Sequence, residues 1–234
     1  MVYDFLRIKR FYEDWRKNVE RDSSTMDRED KSLVLNALSS LRGGLILDVG
    51  CGYGRHLKFL RNYGFSIIGV DLAKNLLKRA KTYGEVVVAD IQHLPFRDKA
   101  FDASISMWGP LNHIPQIQKG LSELKRATRK RIIATVFNFF SWYGVWIDIR
   151  FLMPAYLLVR RLLVKLRCNA VYYYVRYLDI GAKEIWRFST TFTPKSLIKQ
   201  FHSVGLKKTT WKPICKYFRN FDIFSFLIGI VSDI

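Results

Sequence analysis

Four residues around position 50 have the types and spacing of a site for a nucleotide-like ligand. They are Asp48, Gly50, Gly52 and Gly54. Glycine has no Cβ, so the backbone of a glycine turn can approach a ligand closely. An apolar run before the acid predicts a buried strand, and helical spacing of apolar residues after the third glycine predicts a helix. A strand, a glycine turn and a helix N-terminus together form a cradle for a nucleotide-like cofactor.

Two more acids follow predicted strands farther along the chain. Asp71 ends the apolar run 65–70, close to the spacing from the glycine turn at which an acid contacts ribose hydroxyls in nucleotide-binding folds. A carboxylate accepts two hydrogen bonds at once, which suits a vicinal diol. The alternative is that Asp71 caps a helix over residues 74–81. Asp90 ends the third apolar run, 85–89, in the same manner.

The glycine spacing excludes the dinucleotide fingerprint, which needs a third glycine where this chain has Arg55. The pattern D-x-G-x-G-x-G instead resembles the first motif of class I S-adenosylmethionine-dependent methyltransferases. The resemblance is specific over residues 40–137 and extends to 190–234 at the level of pattern only. Within that family the chain is type 11-like, similar to tRNA wobble-uridine carboxymethyl methyltransferases and to quinone-type methyltransferases.

The resemblance implies an α/β fold, a Rossmann-like seven-stranded mixed sheet with helices on both faces and a lid insertion. It implies S-adenosyl-L-methionine as the cofactor, held across the carboxyl ends of the strands. Asp71 would hold the ribose, and Asp90 would accept a hydrogen bond from the adenine amino group with Ile91 beside it. The cofactor-binding residues implied in this way are Asp48, Gly50, Gly52, Gly54, Asp71, Leu72, Asp90, Ile91 and Ser106.

The segment after the fourth predicted strand carries the candidate catalytic residues. Leu111, Asn112 and His113 fit the family's pattern of a leucine followed by two polar or histidine residues. We predict His113 as the catalytic base, with Asn112 beside it, for an acceptor whose proton must leave. The alternative is that His113 orients a loop by hydrogen bonding.

Two sequence patterns that would narrow the reaction are missing from this segment. It contains no N-P-P-Y sequence, which disfavours methylation of an exocyclic base amine by that machinery. It also contains no Pro-Cys or Thr-Cys pair, which disfavours covalent attack at pyrimidine carbon 5. The expected reaction is in-line transfer of a methyl group to an O or N nucleophile.

We expect a single methyltransferase domain over residues 1–234, with a lid insertion at 138–188 between the fifth strand and the penultimate helix. The predicted strands are 45–49, 65–71, 85–91, 103–107, 130–137, 206–214 and 224–231, the last of them antiparallel. The predicted helices are 3–20, one from 32 after a polar break at 21–29, 55–61, 74–81, 116–126, and one that opens at Thr193 and Pro194.

The insertion has an amphipathic pattern of its own. An aromatic segment at 139–143 precedes a helix predicted from Pro154 to residue 166, whose charged residues lie within about half of the helical wheel. Such a helix packs as a lid on the core or lies on an anionic lipid surface. A hairpin is predicted from strands 171–177 and 184–189. No uncharged run reaches the ~18 residues that a membrane span needs, so we expect no transmembrane span.

The net charge of +19 is concentrated in the second half of the chain. Residues 120–234 hold twenty Lys and Arg against six Asp and Glu, a balance of +14. This balance favours an anionic partner, either RNA such as tRNA or a lipid surface contacted peripherally. The apolar, aromatic insertion favours a small hydrophobic acceptor, quinone- or lipid-like. A catalytically dead methyltransferase fold that only binds nucleic acid is a third hypothesis.

The cysteines and the N-terminal sequence bear on the compartment. Three scattered cysteines predict no disulfide framework and no metal site. The first residues lack the basic-then-apolar layout of a secretory signal peptide. We therefore expect a cytoplasmic protein.

Overall fold

The computed structural model describes residues 25–138, 170–178, 184–216 and 225–234. In these ranges, strands and helices alternate through the first half of the chain, and strands dominate the second half. In chain order the elements are α1 Thr25–Leu38, β1 Leu45–Val49, α2 Arg55–Asn62, β2 Ser66–Asp71, α3 Lys74–Ala80, β3 Glu85–Val88, β4 Phe101–Ser106, α4 Ile117–Ala127, β5 Thr128–Phe137, β6 Ala170–Leu178, β7 Glu184–Phe192, α5 Pro194–Ser203, β8 Lys208–Lys216 and β9 Ser225–Asp233.

Seven of the strands form one mixed sheet in the order β3-β2-β1-β4-β5-β9-β8. Strands β1 to β5 are parallel, and β9 lies antiparallel between β5 and β8. This arrangement confirms the predicted Rossmann-like class I methyltransferase fold. The strand order reverses between β1 and β4, and ligands of open α/β sheets bind at the carboxyl ends of the strands at such a point.

The two faces of the sheet are covered by different helices. Successive side chains of a strand point to opposite faces. On β1, Ile46 packs in an apolar cluster with Leu38 of α1 and Leu57 of α2, whereas Leu47 packs in a second cluster with Leu121 of α4. All five side chains are fully buried. The strand ends that carry the glycine turn are therefore supported from both sides by packed core.

Helix α1 begins earlier than the sequence predicts. The expected polar break over 21–29 is wrong for residues 25–29, which are helical, and the helix begins at Thr25 rather than at residue 32. Charge in this stretch suggests a loop, but Asp30 is fully buried and hydrogen-bonded to residues of other elements. Tertiary contacts therefore extend the helix where its own sequence is polar.

Strand β3 is shorter than predicted and ends at Val88 rather than at residue 91. The acid beyond it forms a turn. Asp90 forms an isolated bridge with His93, and its Oδ1 accepts a hydrogen bond from the backbone N–H of Gln92 at 2.9 Å. An aspartate that bonds to backbone two residues ahead stabilises a turn, so it ends the strand.

The second half of the chain confirms three predictions. Strands β6 and β7 pair antiparallel, as the hairpin prediction requires. Helix α5 opens with Pro194 at its first position, and Thr193 is the N-cap, in a reciprocal capping box with Ser196. The predicted helices 3–20 and 154–166 and the aromatic segment 139–143 lie outside the described residues. None of the helices in the described ranges is long and apolar enough to cross a membrane.

Candidate active site

The three positions of the turn after β1 require glycine for different structural reasons. All have positive φ, 77° at Gly50, 55° at Gly52 and 88° at Gly54. A Cβ at Gly50 would lie 2.3 Å from Pro110 Cγ, and one at Gly54 would lie 2.9 Å from Ala80 Cα. A Cβ at Gly52 would meet nothing within 4 Å. Gly50 and Gly54 therefore permit close packing, and Gly52 alone faces open space where a ligand could approach.

Asp71, at the end of β2, is hydrogen-bonded to this turn. Its Oδ2 accepts a hydrogen bond from Gly52 N–H at 2.9 Å, and its Oδ1 accepts one from Ala73 N–H at 2.9 Å. The N-cap residue of α3 is Ala73, so the alternative in which Asp71 caps that helix is wrong. Burial raises the pKa of Asp71, although the bonds from Ala73 and Gly52 oppose the shift. Leu72 lies half-buried between the acid and Ala73.

Two buried polar side chains lie at the ends of the strands flanking the switch point. Asp48 on β1 is 1% exposed and Ser106 on β4 is fully buried. Among the described residues, Asp48 Oδ2 and Ser106 Oγ have no hydrogen-bond partner. Burial raises the pKa of Asp48 to about 8, and the nearby Arg55 charge opposes this. Unsatisfied polar atoms inside a fold are costly, which makes this a place for a polar or cationic ligand.

The third acid lies one strand farther from the switch point. Asp90 accepts hydrogen bonds from Gln92 through both backbone and side chain. Its side chain is 15% exposed, and the neighbouring Ile91 is buried. His93, which forms the bridge with Asp90, has a side chain that is 66% exposed. The structure therefore brings Asp90 to the same edge of the sheet as Asp71, with its carboxylate held in a local turn.

The segment after β4 is held against β5 in a strained conformation. Trp108 has a φ of 64°, which is rare for a bulky residue, and its N–H donates to Thr135 Oγ1 at 2.6 Å. Asn112 is fully buried, and its Oδ1 accepts a hydrogen bond from Phe137 N–H at 2.9 Å. His113 is buried too, with its ring 6.0 Å from that of Phe137. The carboxamide of Asn112 therefore holds the loop.

An ionic cluster that joins α1 to this site was not predicted from the sequence. Arg55, the first residue of α2, donates to buried Asp30 at 2.6 Å, and Trp108 Nε1 donates to the same carboxylate. His56 Nε2 lies 3.6 Å from it, and burial lowers the pKa of His56 well below its usual value. An acid in a polar helical turn looks solvent-exposed in a sequence, and Arg55 merely occupies a position where the dinucleotide fingerprint has glycine.

Some of the basic residues expected to contact RNA are occupied within the fold. Lys125 Nζ donates to the Val204 carbonyl at 2.8 Å. Arg126 donates to Glu123, to Asp98 and to two backbone carbonyls. Both residues, with Arg129 and Lys130, lie at the amino-terminal edge of the parallel strands, opposite the glycine turn. The basic residues 160–167 lie outside the described residues.

Comparison with known proteins agrees with this geometry. Residues 47–133 match a family model described as a methyltransferase domain. An uncharacterized protein of Methanocaldococcus jannaschii is 32% identical over 140 residues, which are 57% of this chain and 53% of the relative. The probable tRNA methyltransferase 9B of Bos taurus is 36% identical over 101 residues, 43% of this chain and 22% of that protein. The chain thus spans about half the length, or less, of these curated relatives.

Solved structures share the whole fold. An S-adenosylmethionine-dependent methyltransferase from Mesorhizobium loti superposes with a TM-score of 0.63 at 14% identity, covering 91% of this chain and 99% of the other. The fold is that of class I methyltransferases, and residues 47–133 match the methyltransferase domain model.

Proposed function

We propose that this protein transfers the methyl group of S-adenosylmethionine to an O or N nucleophile on RNA. The observation that carries the cofactor assignment is the pair of unsatisfied buried atoms, Asp48 Oδ2 and Ser106 Oγ, on strands β1 and β4, together with the open position at Gly52 in the turn after β1. The amino-acid end of S-adenosylmethionine is cationic at its ammonium and sulfonium, so a buried carboxylate suits it. The donor set therefore fits this cofactor.

Each end of the cofactor has a candidate partner in the chain. Asp71 would hold the ribose hydroxyls, since a carboxylate accepts two hydrogen bonds. Asp90 would accept from the adenine amino group, with Leu72 and Ile91 as apolar neighbours. Gly52, with Asp48 and Ser106, would hold the amino-acid end, and Gly50 and Gly54 would let the turn take its shape.

The bound cofactor supplies a methyl group that its positive sulfur already activates for displacement. The contribution of the chain is then chiefly alignment, for which good orientation can supply ~7–11 kcal/mol. The loop that contains Trp108 and Asn112 borders the site on the acceptor side, and its bonds to β5 fix it in place. His113, three residues after Pro110 in that loop, is the candidate to take a proton from the acceptor.

RNA as the acceptor is supported by relatives and by charge. The relative from Bos taurus is described as a probable tRNA methyltransferase. The +14 balance of residues 120–234 would favour a polyanion. A small hydrophobic acceptor remains the second candidate, because the sequence of the insertion is aromatic and apolar.

The deciding experiment follows labelled methyl groups from S-adenosylmethionine into three separate pools: total tRNA, other RNA, and an organic-solvent extract of small molecules. We expect label in the RNA. Nuclease digestion should release it as nucleosides that still carry the labelled methyl group. Label confined to the organic extract would replace RNA with a small acceptor. Failure to bind S-adenosylmethionine, together with binding of RNA, would support the nucleic-acid-binding hypothesis.

A further inference from the structure

Asp30 lies at the centre of the contacts that join α1 to the candidate site. Arg55 Nη1 donates to Asp30 Oδ1 at 3.3 Å, and Nη2 donates to Oδ2 at 2.6 Å. Trp108 Nε1 also donates to Oδ2, and the Arg55 guanidinium carbon lies 4.7 Å from the centroid of the Trp108 ring. A two-point ion pair combined with stacking fixes both the position and the orientation of a guanidinium.

The position of Arg55 is electrostatically unfavourable without this acid. It is the first residue of α2, where the helix dipole already carries partial positive charge. It follows directly after the glycine turn that is proposed to hold a cationic cofactor. Two buried carboxylates act on its charge. Asp30 does so through direct contact, and Asp48 acts through space, where Arg55 opposes the rise in the pKa of that carboxyl.

A guanidinium that lost its two-point bond to Asp30 would be drawn toward Asp48, a buried carboxylate whose pKa its charge already lowers. Asp48 Oδ2 has no hydrogen-bond partner among the described residues, and an arginine side chain is long and flexible. Pairing of Arg55 with that oxygen would offset the free-energy cost of desolvating the two charged groups. It would also occupy the oxygen that the ammonium or sulfonium of the cofactor requires.

We propose that Asp30 is a positioning residue that holds Arg55 away from Asp48 and so keeps Asp48 available to the cationic end of the cofactor. The inference rests on the proposed cofactor site and goes beyond it, since it assigns a role to α1. Trp108 completes the clamp from the acceptor loop. The Asp30 carboxylate of α1 thus joins the start of α2, through Arg55, to the loop that contains Trp108.

The test is a double-mutant cycle read by the dissociation constant of S-adenosylmethionine in calorimetry. Asp30→Asn keeps the shape of the side chain but removes its ion pair with Arg55, and we expect affinity to fall by about tenfold or more. Removing the competing charge as well, in Asp30→Asn/Arg55→Gln, should return affinity to within about threefold of wild type. A merely structural loss would not be repaired by a second substitution.

Two results would overturn the inference. One is a double variant that binds as weakly as Asp30→Asn. The other is an Arg55→Gln variant that alone loses as much affinity, because Arg55 would then be a ligand of the cofactor. Failure of the wild-type chain to bind S-adenosylmethionine would instead refute the proposed function, so the two failures are distinguishable.

A second comparison covers the case in which Asp30→Asn does not fold. Lysine cannot make the two-point bond to Asp30 and stack on Trp108 as arginine does. We therefore expect Arg55→Lys to bind the cofactor less tightly than Arg55→Gln, although both remove the guanidinium. Equal or tighter binding by Arg55→Lys would contradict the proposal.

Discussion

At the scale of single residues, Asp48 makes the clearest physical demand. A carboxyl that is 1% exposed and whose Oδ2 has no hydrogen-bond partner in the described ranges is costly to ionise. Burial therefore raises its pKa to about 8, far above the ordinary value of 3.8. This ionisation cost lowers the stability of the ligand-free fold, and a cationic ligand would offset it. Asp48 therefore favours ligand binding at the expense of stability.

The pH dependence of stability should report this cost. The folded chain holds the Asp48 proton up to about pH 8, whereas the unfolded chain releases it near pH 4, so this group lowers stability as pH rises between these values. Asp48→Asn cannot ionise and should be more stable than wild type by about 1–3 kcal/mol at pH 8. Denaturant unfolding at pH 4 and pH 8 measures the difference, which should nearly vanish at the lower pH. A difference independent of pH would contradict the assignment.

The glycine turn offers a matched pair of substitutions. Gly52→Ala meets no protein atom but places a methyl group where the ligand should lie, so we expect a loss of cofactor affinity of at least about tenfold with a stability loss near ~1 kcal/mol. Gly54→Ala meets Ala80 Cα at 2.9 Å and should instead lose about 1–3 kcal/mol of stability. Calorimetry and thermal unfolding separate the two effects. Equal loss of affinity in both, at equal stability, would count against an opening at Gly52.

The proposed base is tested by His113→Gln. General-base catalysis is worth about 10²–10⁴-fold, so turnover on the identified acceptor should fall within that range while cofactor affinity stays nearly unchanged. Full activity in the variant would leave His113 with the role of orienting the loop.

At the scale of elements, local chemistry decides several boundaries. Thr193 and Ser196 exchange hydrogen bonds at the start of α5, a helix that buries Leu197 and Phe201. Thr193→Ala should cost about 1 kcal/mol of unfolding free energy, the usual value of an N-cap. Lys195→Ala, at an exposed position of the same turn, is the control and should change stability by less than about 0.5 kcal/mol. Equal effects of the two substitutions would show that the cap contributes nothing measurable.

The elements that the sequence predicts well are those whose pattern is local. Strand β1 has the predicted bounds, because apolar residues fill it and glycines end it. The predicted start of α1 was wrong for the opposite reason, because Asp30 bonds to Arg55 of another element. The predicted end of β3 was wrong because the local turn that Asp90 forms with Gln92 was overlooked. The part of the site in and around the glycine turn was predictable from the sequence. The contribution of helix α1, which is distant in sequence, was not.

At the scale of the whole molecule, the basic residues near the start of β5 and the candidate active site lie at opposite ends of the parallel strands. Arg129 and Lys130 begin β5, whereas the glycine turn and Ser106 lie at the carboxyl ends of β1 and β4. An RNA acceptor that used both would have to extend along the sheet from one edge to the other. A small acceptor would require only the edge with the glycine turn.

Salt dependence distinguishes these cases. RNA affinity should fall by roughly 0.7 log units per log unit of salt for each single-stranded phosphate neutralised. Lys130→Glu should reduce both affinity and this slope, since its side chain is 60% exposed. Lys78→Glu makes the same charge change at an exposed position on α3 and is the control. Identical slopes for wild type and Lys130→Glu would remove this edge from the RNA interface, and anionic vesicles assayed in parallel would reveal lipid binding.

The place of β9 also sets the order in which the chain can acquire its structure. This strand enters the sheet between β5 and β8, and its Asp233 accepts a bond from Arg131, 102 positions earlier. As the chain leaves the ribosome, the five parallel strands that carry the glycine turn can assemble first. Strands β5 and β8 then each expose an unpaired edge, a surface prone to aggregation, until the last strand arrives. A chain whose synthesis stops shortly before β9 would therefore have a formed glycine turn and an incomplete sheet. We expect chaperones to bind such a chain.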